Sequence, residues 1–376
     1  MAENKDKKVL NVPALRFPEF TEEWVNVSLK DVADFQKERI SSGLLDESTY
    51  ISTENILQNF QGVQSAISIP ANTNVVAYKK NDILLSNIRP YLKKVWFSDK
   101  IGGCSADVFV LRSKTCEPEF LYNVIASDKF INYVMSGAKG VKMPRGDKNQ
   151  MESFSFSIPA VAEQRKISRL FQLLDERIAT QNKIIEDLKK LKSAISLKML
   201  HSDSWEEFKI KDIASIGRGR VISSIEISQQ ENPLYPVYSS QTSNEGIMGY
   251  LDNFMFEGEY ISWTTDGANA GTVFYRNGKF NCTNVCGLLK LRNGFDTHFV
   301  SLVLSEATKK YVSINLANPK LMNNTMGNIQ IRLPKFKEQK RISIIFKKLQ
   351  ELLDVQKHLL CKYSKQKQYL LHQMFI

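Results

Sequence analysis

The chain contains one helical segment twice, at positions 175 residues apart. Residues 158–167 read IPAVAEQRKI, and residues 333–342 read LPKFKEQKRI. After each segment, apolar side chains recur at alternating steps of four and three residues. This spacing keeps one stripe of a helix against a partner helix along its whole length. Because the chain holds two stripes of equal length, we predict that its two long helices pack on each other.

The two stripes correspond position by position, including the polar residues that interrupt them. A glutamine and a lysine stand at the same two steps in each copy. These four residues either fix the register of the helix pair at a cost in stability or lie where the stripe drifts toward solvent. The members are Ile167, Phe171, Leu174, Ile178, Gln181, Ile185, Leu188, Lys192, Ile195 and Met199, then Ile342, Phe346, Leu349, Leu353, Gln356, Leu360, Tyr363, Lys367, Leu370 and Met374.

A second repeat defines the order of the chain. WVNVSLKDVA at 24–33 returns as WEEFKIKDIA at 205–214, each time ahead of a stretch in which short β-rich runs alternate with turn residues. A short helical pattern then precedes each long helix. The predicted order is a module at 1–157, a helix at 158–203, a module at 204–331 and a helix at 332–376. The predicted fold class is α+β, with strand-dominated modules.

The long helices predict how the modules are held. Pro159 and Pro334 fit an extended chain that turns helical just after them. From Glu163 to Leu200, the first helix would extend about 57 Å at 1.5 Å per residue. Two modules of similar build and two equal helices favour an antiparallel pair with a pseudo-twofold axis, which would keep the β-rich modules apart.

Composition limits where the protein works. The chain has 376 residues, enough for several domains, and no stretch near the ~20 apolar residues that span a bilayer. Its polar first residues do not resemble a secretory signal, so no membrane association is expected. The cysteines form no paired framework and no zinc-site spacing, which indicates a cytoplasmic location. All five are predicted to be buried thiols: Cys104, Cys116, Cys282, Cys286 and Cys361.

The positive charge lies in the helices. The net charge is +11 overall, but +1 in residues 1–157 and −1 in residues 204–331. The first helix carries +3 and the second +8. A solvated face explains the first value, whereas the second predicts a nearby acidic protein surface or nucleic acid. The nearly neutral modules predict weak, salt-sensitive nucleic-acid binding through local clusters.

The motifs together resemble the specificity subunit of Type I restriction–modification systems. They are the opening VPALRFPEFTEEW at 12–24, the two P-x-x-x-E-Q-[RK]-[KR]-I helix starts, and the tail KQYLLHQMFI at 367–376, echoed as KSAISLKMLH at 192–201. Each motif alone is modest, but their order and duplication are specific. The resemblance covers essentially the whole chain.

The resemblance implies two target-recognition domains that read a bipartite, gapped sequence in double-stranded DNA. It implies no chemistry in this chain, and no cofactor. Two methyltransferase subunits would bind S-adenosylmethionine, and two restriction–translocase subunits would use ATP and Mg²⁺. The helices would act as spacer and docking surface. One turn of B-DNA spans ~34–36 Å, so a ~57 Å spacer with inward-leaning modules suits half-sites about one turn apart.

The candidate DNA-binding residues stand on Gly-, Pro- and Asn-rich loops. Base edges are read by Arg, Lys, Asn, Gln, Ser and Thr, although the same small polar residues also serve ordinary turns. The first module offers NIRPYLKKVW (87–96) and AKGVKMPRGDKNQ (138–150); the second offers IGRGR (216–220), YSSQTSNEG (238–246), TTDGANAG (264–271) and NPKLMNN (318–324). The residues are Arg89, Tyr91, Lys93, Lys94, Lys142, Arg145, Lys148 and Asn149, then Arg218, Arg220, Ser240, Gln241, Asn244, Thr264, Thr265, Asn269, Lys320, Asn323 and Asn324.

The alternatives are weighed on the same residues. No G-x-x-x-x-G-K-[ST] loop is present, and Asn232-Pro233-Leu234-Tyr235 lacks the second proline of a DNA methyltransferase motif. The four histidines form no triad pattern. A fused part of a single-chain modification enzyme is disfavoured because no catalytic segment remains. The second hypothesis is a scaffold without DNA, in which paired helices hold two protein-binding modules apart.

Overall fold

The structure is a computed structural model that describes residues 10–313 and 318–375. It divides into two compact units. Unit 1 comprises Met1–Asn182 with His358–Ile376, and unit 2 comprises Lys183–Lys357. Each unit therefore combines one module with the start of one long helix and the end of the other.

Module 1 contains two four-stranded sheets and one two-stranded sheet. The sheets have the strand orders β2-β9-β6-β7, β3-β5-β8-β4 and β1-β10. The strands are β1 (Val25–Ser28), β2 (Ala33–Phe35), β3 (Arg39–Ser41), β4 (Tyr50–Ile51), β5 (Asn74–Tyr78), β6 (Ile83–Ser86), β7 (Val95–Phe97), β8 (Gly102–Cys104), β9 (Val108–Ser113) and β10 (Ser155–Ile158). The helices are α1 (Leu29–Val32), α2 (Pro118–Ile125), α3 (Asp128–Ser136) and α4 (Lys148–Glu152).

Module 2 follows the first long helix, α5 (Val161–Met199), and precedes the second, α10 (Phe336–Met374). Its sheets have the orders β12-β19-β16-β17, β14-β13-β18-β15 and β11-β20. The strands are β11 (Glu206–Lys209), β12 (Ala214–Arg218), β13 (Tyr235–Tyr238), β14 (Ile247–Leu251), β15 (Phe256–Glu257), β16 (Tyr260–Thr264), β17 (Val273–Arg276), β18 (Lys279–Cys282), β19 (Cys286–Leu291) and β20 (Gln330–Leu333). The helices are α6 (Ile210–Ile213), α7 (Ser224–Ser228), α8 (Thr297–Ala307) and α9 (Asn323–Asn328).

The modules repeat one topology with one difference. β2-β9-β6-β7 corresponds strand for strand to β12-β19-β16-β17, and β1-β10 corresponds to β11-β20. In the remaining sheets, the parallel pair β4·β8 corresponds to β13·β18. The outer strand differs, because β3 pairs with β5 in module 1 whereas β14 pairs with β13 in module 2. The predicted α+β internal repeat is confirmed.

The short helices predicted before each long helix are present because their apolar faces complete the cores. Ser127 caps α3 by accepting from the Phe130 amide, and Asp296 caps α8 by accepting from the Phe299 amide at 2.8 Å. Phe130 and Phe299 are fully buried. Burying such a side chain contributes roughly 1.5–3 kcal/mol, so these helices are held mainly by packing.

In each unit, the end of one long helix packs antiparallel against the start of the other. In unit 1, Phe171 meets Phe375 with ring centroids 5.7 Å apart, and Asp175 accepts from Lys367. In unit 2, the Lys192 ammonium donates to Gln350 Oε1 at 2.7 Å. In unit 1, the contacted residue moves back from Phe375 to Lys367 as α5 advances from Phe171 to Asp175. In unit 2, Lys192 contacts Gln350, and Met199, further along α5, lines one groove with Ile342, nearer the start of α10. The antiparallel arrangement therefore holds within both units.

All the predicted stripe residues are buried or half-buried. The interrupting lysines have polar partners, as Lys367 donates to both carboxylate oxygens of Asp175 at 2.6 and 2.8 Å. Gln181 is also buried. These contacts favour the register-fixing interpretation. The fully buried members are Ile167, Phe171, Leu174, Gln181, Ile185, Ile342, Phe346, Leu353, Lys367 and Met374; the half-buried ones are Ile178, Leu188, Lys192, Ile195, Met199, Leu349, Gln356, Leu360, Tyr363 and Leu370.

One prediction about the cysteines is wrong. Four of the five are buried, but Cys361 is exposed on α10. It follows Leu360 directly, and a step of one residue turns a helical side chain by about 100° away from the packed stripe. The stripe residue is covered, whereas its neighbour faces solvent.

Candidate nucleic-acid interface

In module 1, the loops that carry the predicted residues meet at one sheet edge. The connection after β6 bonds to the connection before β9 through the Asn87 amide and the Asp107 carbonyl, 2.8 Å apart. The loop before α4 joins them, because the Arg89 amide donates to the Pro144 carbonyl at 2.8 Å. Two segments about 50 residues apart in sequence thus form one surface.

The first of these loops turns sharply around Pro90–Leu92. Arg89 and Lys93 flank this turn in left-handed backbone conformations, with φ of 50° and 53°. Non-glycine residues rarely adopt this region, and such strain often marks a functional site. Arg89 and Tyr91 are exposed, and no described residue hydrogen-bonds to their side chains. The strained turn therefore presents a cation and an aromatic ring to solvent.

The other cations of module 1 differ in how they are held. Lys93 pairs with Asp128, and Lys94 donates to the Thr53 carbonyl at 2.5 Å. Arg145 bonds to Asp107 at 2.8 Å, across the same edge. The remaining predicted residues lie on the loop before α4 or at its start: Lys142 and Asn149 are exposed, and Lys148 is half-buried with its ammonium 5.1 Å from the Phe35 ring centroid.

Module 2 builds the equivalent edge with different side chains. The Thr265 amide donates to the Val285 carbonyl at 3.0 Å, and the Leu321 amide donates to the Thr265 carbonyl at 2.9 Å. The backbone bridge of Ile88 with Arg145 in module 1 corresponds to that of Asp266 with Lys320 in module 2. The loops after β16, before β19 and before α9 are therefore brought together.

The cations of this second edge are tied to polar neighbours. Arg218 donates to Asn323 Oδ1 at 2.9 Å, which joins the loop after β12 to the start of α9. Arg220 forms a two-point ion pair with Glu226, and each partner shifts the other's pKa toward the charged form. Lys320 lies 3.9 Å from Asp266. All three cations are at least partly accessible.

The uncharged residues of module 2 fall into two groups. Thr264 and Thr265 are buried, and the Thr265 hydroxyl donates to the Val285 carbonyl at 3.0 Å, so these threonines support the edge from beneath. Gln241 is half-buried and donates to the Ile247 carbonyl. Asn244, Asn269 and Asn324 are exposed, and Ser240 is half-buried.

Arg276 was not among the predicted residues, yet it positions one of the loops. It is buried between the rings of Tyr238 and Phe274, with its guanidinium carbon 3.6 and 4.4 Å from their centroids. It also donates to the Glu245 carbonyl at 2.8 Å. Burial lowers the pKa of Arg276, and the aromatic faces offset part of that cost. The run VFYRNGK reads as an ordinary strand and turn, so sequence gave no signal of this role.

The repeated glutamine of the helix starts has a structural task that its sequence context did not reveal. Gln164 Oε1 accepts from the Glu117 amide at 2.9 Å, and its amide donates to the Pro159 carbonyl at 2.8 Å. Gln339 does the same with the Asp296 amide and the Pro334 carbonyl, at 2.9 and 2.8 Å. One side chain thus joins each long helix to the helix of its own module.

The second helix displays its predicted basic cluster near its start. Lys340, Arg341 and Lys348 are exposed, and Lys347 is half-buried. The Lys340 ammonium lies 4.6 Å from the Phe336 ring centroid, and that of Lys347 lies 5.1 Å from Tyr275. No carboxylate of the described residues forms an ion pair with these four cations, so their charge faces outward.

The family model of the Type I restriction modification DNA specificity domain matches this chain twice, at residues 21–190 and 202–362. The chain belongs to this family. Each match covers one module and most of the long helix that follows it. The duplicated motifs, the repeated topology and the two equivalent edges therefore describe two copies of one DNA specificity domain.

Two similar proteins agree with this assignment. The chain is 45% identical over 139 residues to a putative type I specificity subunit N-terminus of Mycoplasma pneumoniae, covering 37% of this chain and 74% of that protein. It is 43% identical over 143 residues to the type I restriction enzyme MpnII specificity subunit of the same species, covering 38% and 42%. Against several such relatives the aligned part spans less than half of their length.

The fold is also that of a solved structure. A Type-I restriction-modification system S subunit from M. genitalium superposes with a TM-score of 0.69 over 97% of this chain and 99% of that one, at 18% identity. In the part of the chain that the structure describes, no helix is both long and apolar enough to cross a membrane.

Proposed function

We propose that the chain reads an asymmetric, bipartite and gapped target in double-stranded DNA, one half with each module. The observation that carries this proposal is the pair of equivalent sheet edges, which share backbone bridges but present different side chains. Phosphate contacts position a protein on DNA, whereas side chains at base edges select the sequence. Two different edges on one frame therefore suit two different half-sites.

The edges have the chemistry that this task needs. Arg89 and Arg218 are exposed cations of the residue type that pairs with guanine edges, and Asn149, Asn269 and Asn324 are exposed amides of the type that pairs with adenine. Arg145, Arg220 and Lys320 pair with surface carboxylates. Such exposed pairs contribute little, so phosphates can replace the carboxylates at low cost.

The near-neutral charge of each module limits how tightly the chain binds alone. Each phosphate contact releases counterions and steepens the dependence of affinity on salt. With few unpaired cations per edge, partner subunits must supply part of the affinity. We expect weak DNA binding by the isolated chain at physiological salt and strong binding after assembly.

The partners we propose are two methyltransferase subunits on the helical region, joined by two restriction–translocase subunits. The cations Lys340, Arg341, Lys347 and Lys348, all at least partly accessible, suit an acidic surface on a methyltransferase. In this proposal the chain is not catalytic. S-adenosylmethionine, ATP and Mg²⁺ belong to the partner subunits, and this chain contributes target selection and spacing.

A methylome tests the proposal. The cognate methyltransferase subunit is expressed in an unmethylated host with and without this chain, and modified adenines are mapped by single-molecule sequencing. We expect a split, asymmetric motif that occurs only with this chain. Replacing residues 204–331 should change one half of the motif and leave the other.

The charge-neutralised variant Lys340→Gln/Arg341→Gln/Lys347→Gln/Lys348→Gln separates docking from reading. We expect loss of methyltransferase binding in gel filtration at 0.15 M salt, while unfolding stays near wild type. Unchanged assembly would contradict the role of these cations. In the methylome experiment with the wild-type chain, a stable complex that yields no new methylation motif would favour the scaffold hypothesis.

A further inference from the structure

The first part of module 1, residues 11–20, fills a groove beside the start of α5. Arg16 donates to both carboxylate oxygens of Glu163 at 2.7 Å, and the Glu163 side chain is only 1% exposed. Phe17 packs against the core of module 1. The Leu15 amide donates to the Gln373 carbonyl at 3.1 Å, and Asn11 donates to the Trp24 carbonyl at 2.6 Å. Residues 11–20 thus cover this groove in an irregular, hydrogen-bonded form that includes a turn from Phe17 to Phe20.

Unit 2 has the same groove without a covering segment. Adding 175 to Glu163 and subtracting 175 from Gln373 gives Glu338 and Lys198, while Trp205 is the repeat of Trp24. All three line a groove of about 900 Å³. Here the chain runs from the end of α5 at Met199 to Trp205 through five residues, so no counterpart of residues 11–20 exists.

The exposed groove presents aromatic rings among polar side chains, and its lining includes the Glu338 carboxylate. Phe336 is 40% exposed, and the rings of Trp205, Phe208 and Phe295 are half-buried along the same groove. Glu338 is exposed, and no described residue donates to its carboxylate. The Lys198 carbonyl lies in the last turn of α5, where backbone carbonyls lack helical partners. Each feature that unit 1 satisfies internally is thus presented to solvent in unit 2.

We propose that this groove binds a peptide segment of a partner protein in which arginine is followed by an aromatic residue and proline. The arginine pairs with Glu338, the aromatic ring packs among the exposed rings, and a backbone amide donates to the Lys198 carbonyl. The chemistry of the occupant is that of Arg16-Phe17-Pro18 in unit 1. This is a protein-binding surface, separate from the loops proposed to read DNA.

A second copy of this chain is a poor occupant. Its own residues 11–20 would have to leave unit 1, and their departure would leave the buried carboxylate of Glu163 without its guanidinium. Breaking a buried ion pair in this way is strongly unfavourable. A segment from another protein carries no such cost.

The test uses the full-length chain and a fluorescent peptide of residues 10–23, LNVPALRFPEFTEE. We expect one peptide per chain by anisotropy titration, because the groove of unit 1 is already filled. Glu338→Gln, or alanine for arginine in the peptide, should weaken binding at least tenfold. Glu338→Arg combined with a peptide carrying glutamate for arginine should restore it. Glu306→Gln, on the surface of α8, is the control expected to bind as wild type.

Three results would overturn the proposal. The first is no peptide binding at 1 mM. The second is binding that Glu338→Gln leaves unchanged. The third is Glu338-dependent self-association of the chain in sedimentation, which would assign the groove to a second copy. None of these results depends on DNA methylation, so the proposed DNA-reading function is tested separately.

Discussion

The two copies of the specificity domain agree where they meet the long helices and differ at the sheet edges. At the helix starts, Gln164 and Gln339 make the same two hydrogen bonds with distances that match within 0.1 Å. At the edges, the same backbone bridge carries Ile88 and Arg145 in one copy and Asp266 and Lys320 in the other. A buried polar contact restricts its residues, whereas an edge held by backbone bonds leaves its side chains free to vary.

A second difference lies beside the helix starts. Glu163 is buried and paired with Arg16, whereas Glu338 at the equivalent position is exposed. One sequence motif therefore has two environments. The repeat alone would assign both glutamates the same role, and the chain outside the repeat decides between them.

The largest expected effect tests the difference between the buried Glu163 and the exposed Glu338. Arg16→Ala leaves the carboxylate of Glu163 buried without a partner, and we expect a loss of about 3–5 kcal/mol in the free energy of unfolding of unit 1. Amide protection of residues 11–20 in hydrogen exchange should fall with it. Glu338→Gln should change unfolding by less than about 0.5 kcal/mol. Equal losses in urea titrations of the two variants would contradict the comparison.

The next effect concerns the edges themselves. Arg89→Ala should relax one position in one half of the methylation motif by about 1–3 kcal/mol, or roughly 5- to 150-fold in base preference. Arg218→Ala should do the same in the other half only. Methylome mapping measures both, and Lys80→Ala, an exposed cation outside the candidate loops, serves as control. If one variant lost base preference in both halves of the motif, the assignment of one half to each module would be wrong.

A smaller expected effect is a dependence of the stability of unit 2 on pH. Burial and the nearby Lys347 lower the pKa of His298 to about 4, and module 1 has Glu119 at this place. The unfolded chain takes up the proton near pH 6.5, the folded one only near pH 4. Stability from neutral His298 is therefore present above pH 6.5 and lost as pH falls toward 4.

We expect this loss to be about 1–2 kcal/mol, because the partly accessible imidazole remains screened by solvent. His298→Asn should remove it from the pH dependence of thermal unfolding of unit 2. Glu119→His would test whether the equivalent place in module 1 imposes the same shift. A pH profile of His298→Asn identical to wild type would rule out this residue as the cause.

The smallest effect lies in the helix stripe. Lys367 bonds directly to Asp175, whereas Lys192 bonds to Gln350, which in turn donates to Asp354. Lys367→Met should cost about 1 kcal/mol, because a charge-assisted bond is lost at a partly solvated site. Lys192→Met should be neutral or stabilising. Burial lowers the pKa of Lys192, because its charged ammonium loses hydration and its hydrogen bond to the neutral Gln350 offsets less of that cost. Guanidinium unfolding of the two variants compares them, and a larger loss for Lys192→Met would reverse this interpretation.

Sequence periodicity predicted the parts of the fold that depend on local pattern. The stripe from Ile167 to Met199 requires a helix, and the structure has α5 at Val161–Met199. The edge loops were also found, since arginine beside proline and asparagine beside glycine indicate turns with binding potential. Their assembly into one surface depends on bonds such as that between the Arg89 amide and the Pro144 carbonyl, which no local pattern encodes.

Burial was the property that sequence could not supply. Thr264 and Thr265 stand in a loop-like run, yet both are buried, because Thr264 ends β16 and Thr265 bonds to Val285 and Leu321 of the neighbouring loops. Arg276 looked like a solvated strand residue, and it is enclosed by two rings. Cys361 looked like a buried thiol, and it faces solvent because it stands one residue away from the packed stripe.

The proposed function requires one frame, present in two copies, to carry two independent reading edges in inverted orientation. The most direct test replaces residues 204–331 with a copy of residues 24–157 and maps the methylome of the assembled complex. Two identical modules on an antiparallel helix pair should read two identical half-sites in inverted orientation, so we predict a palindromic gapped motif. An unchanged asymmetric motif, obtained with a folded and assembled chain, would contradict the proposed function.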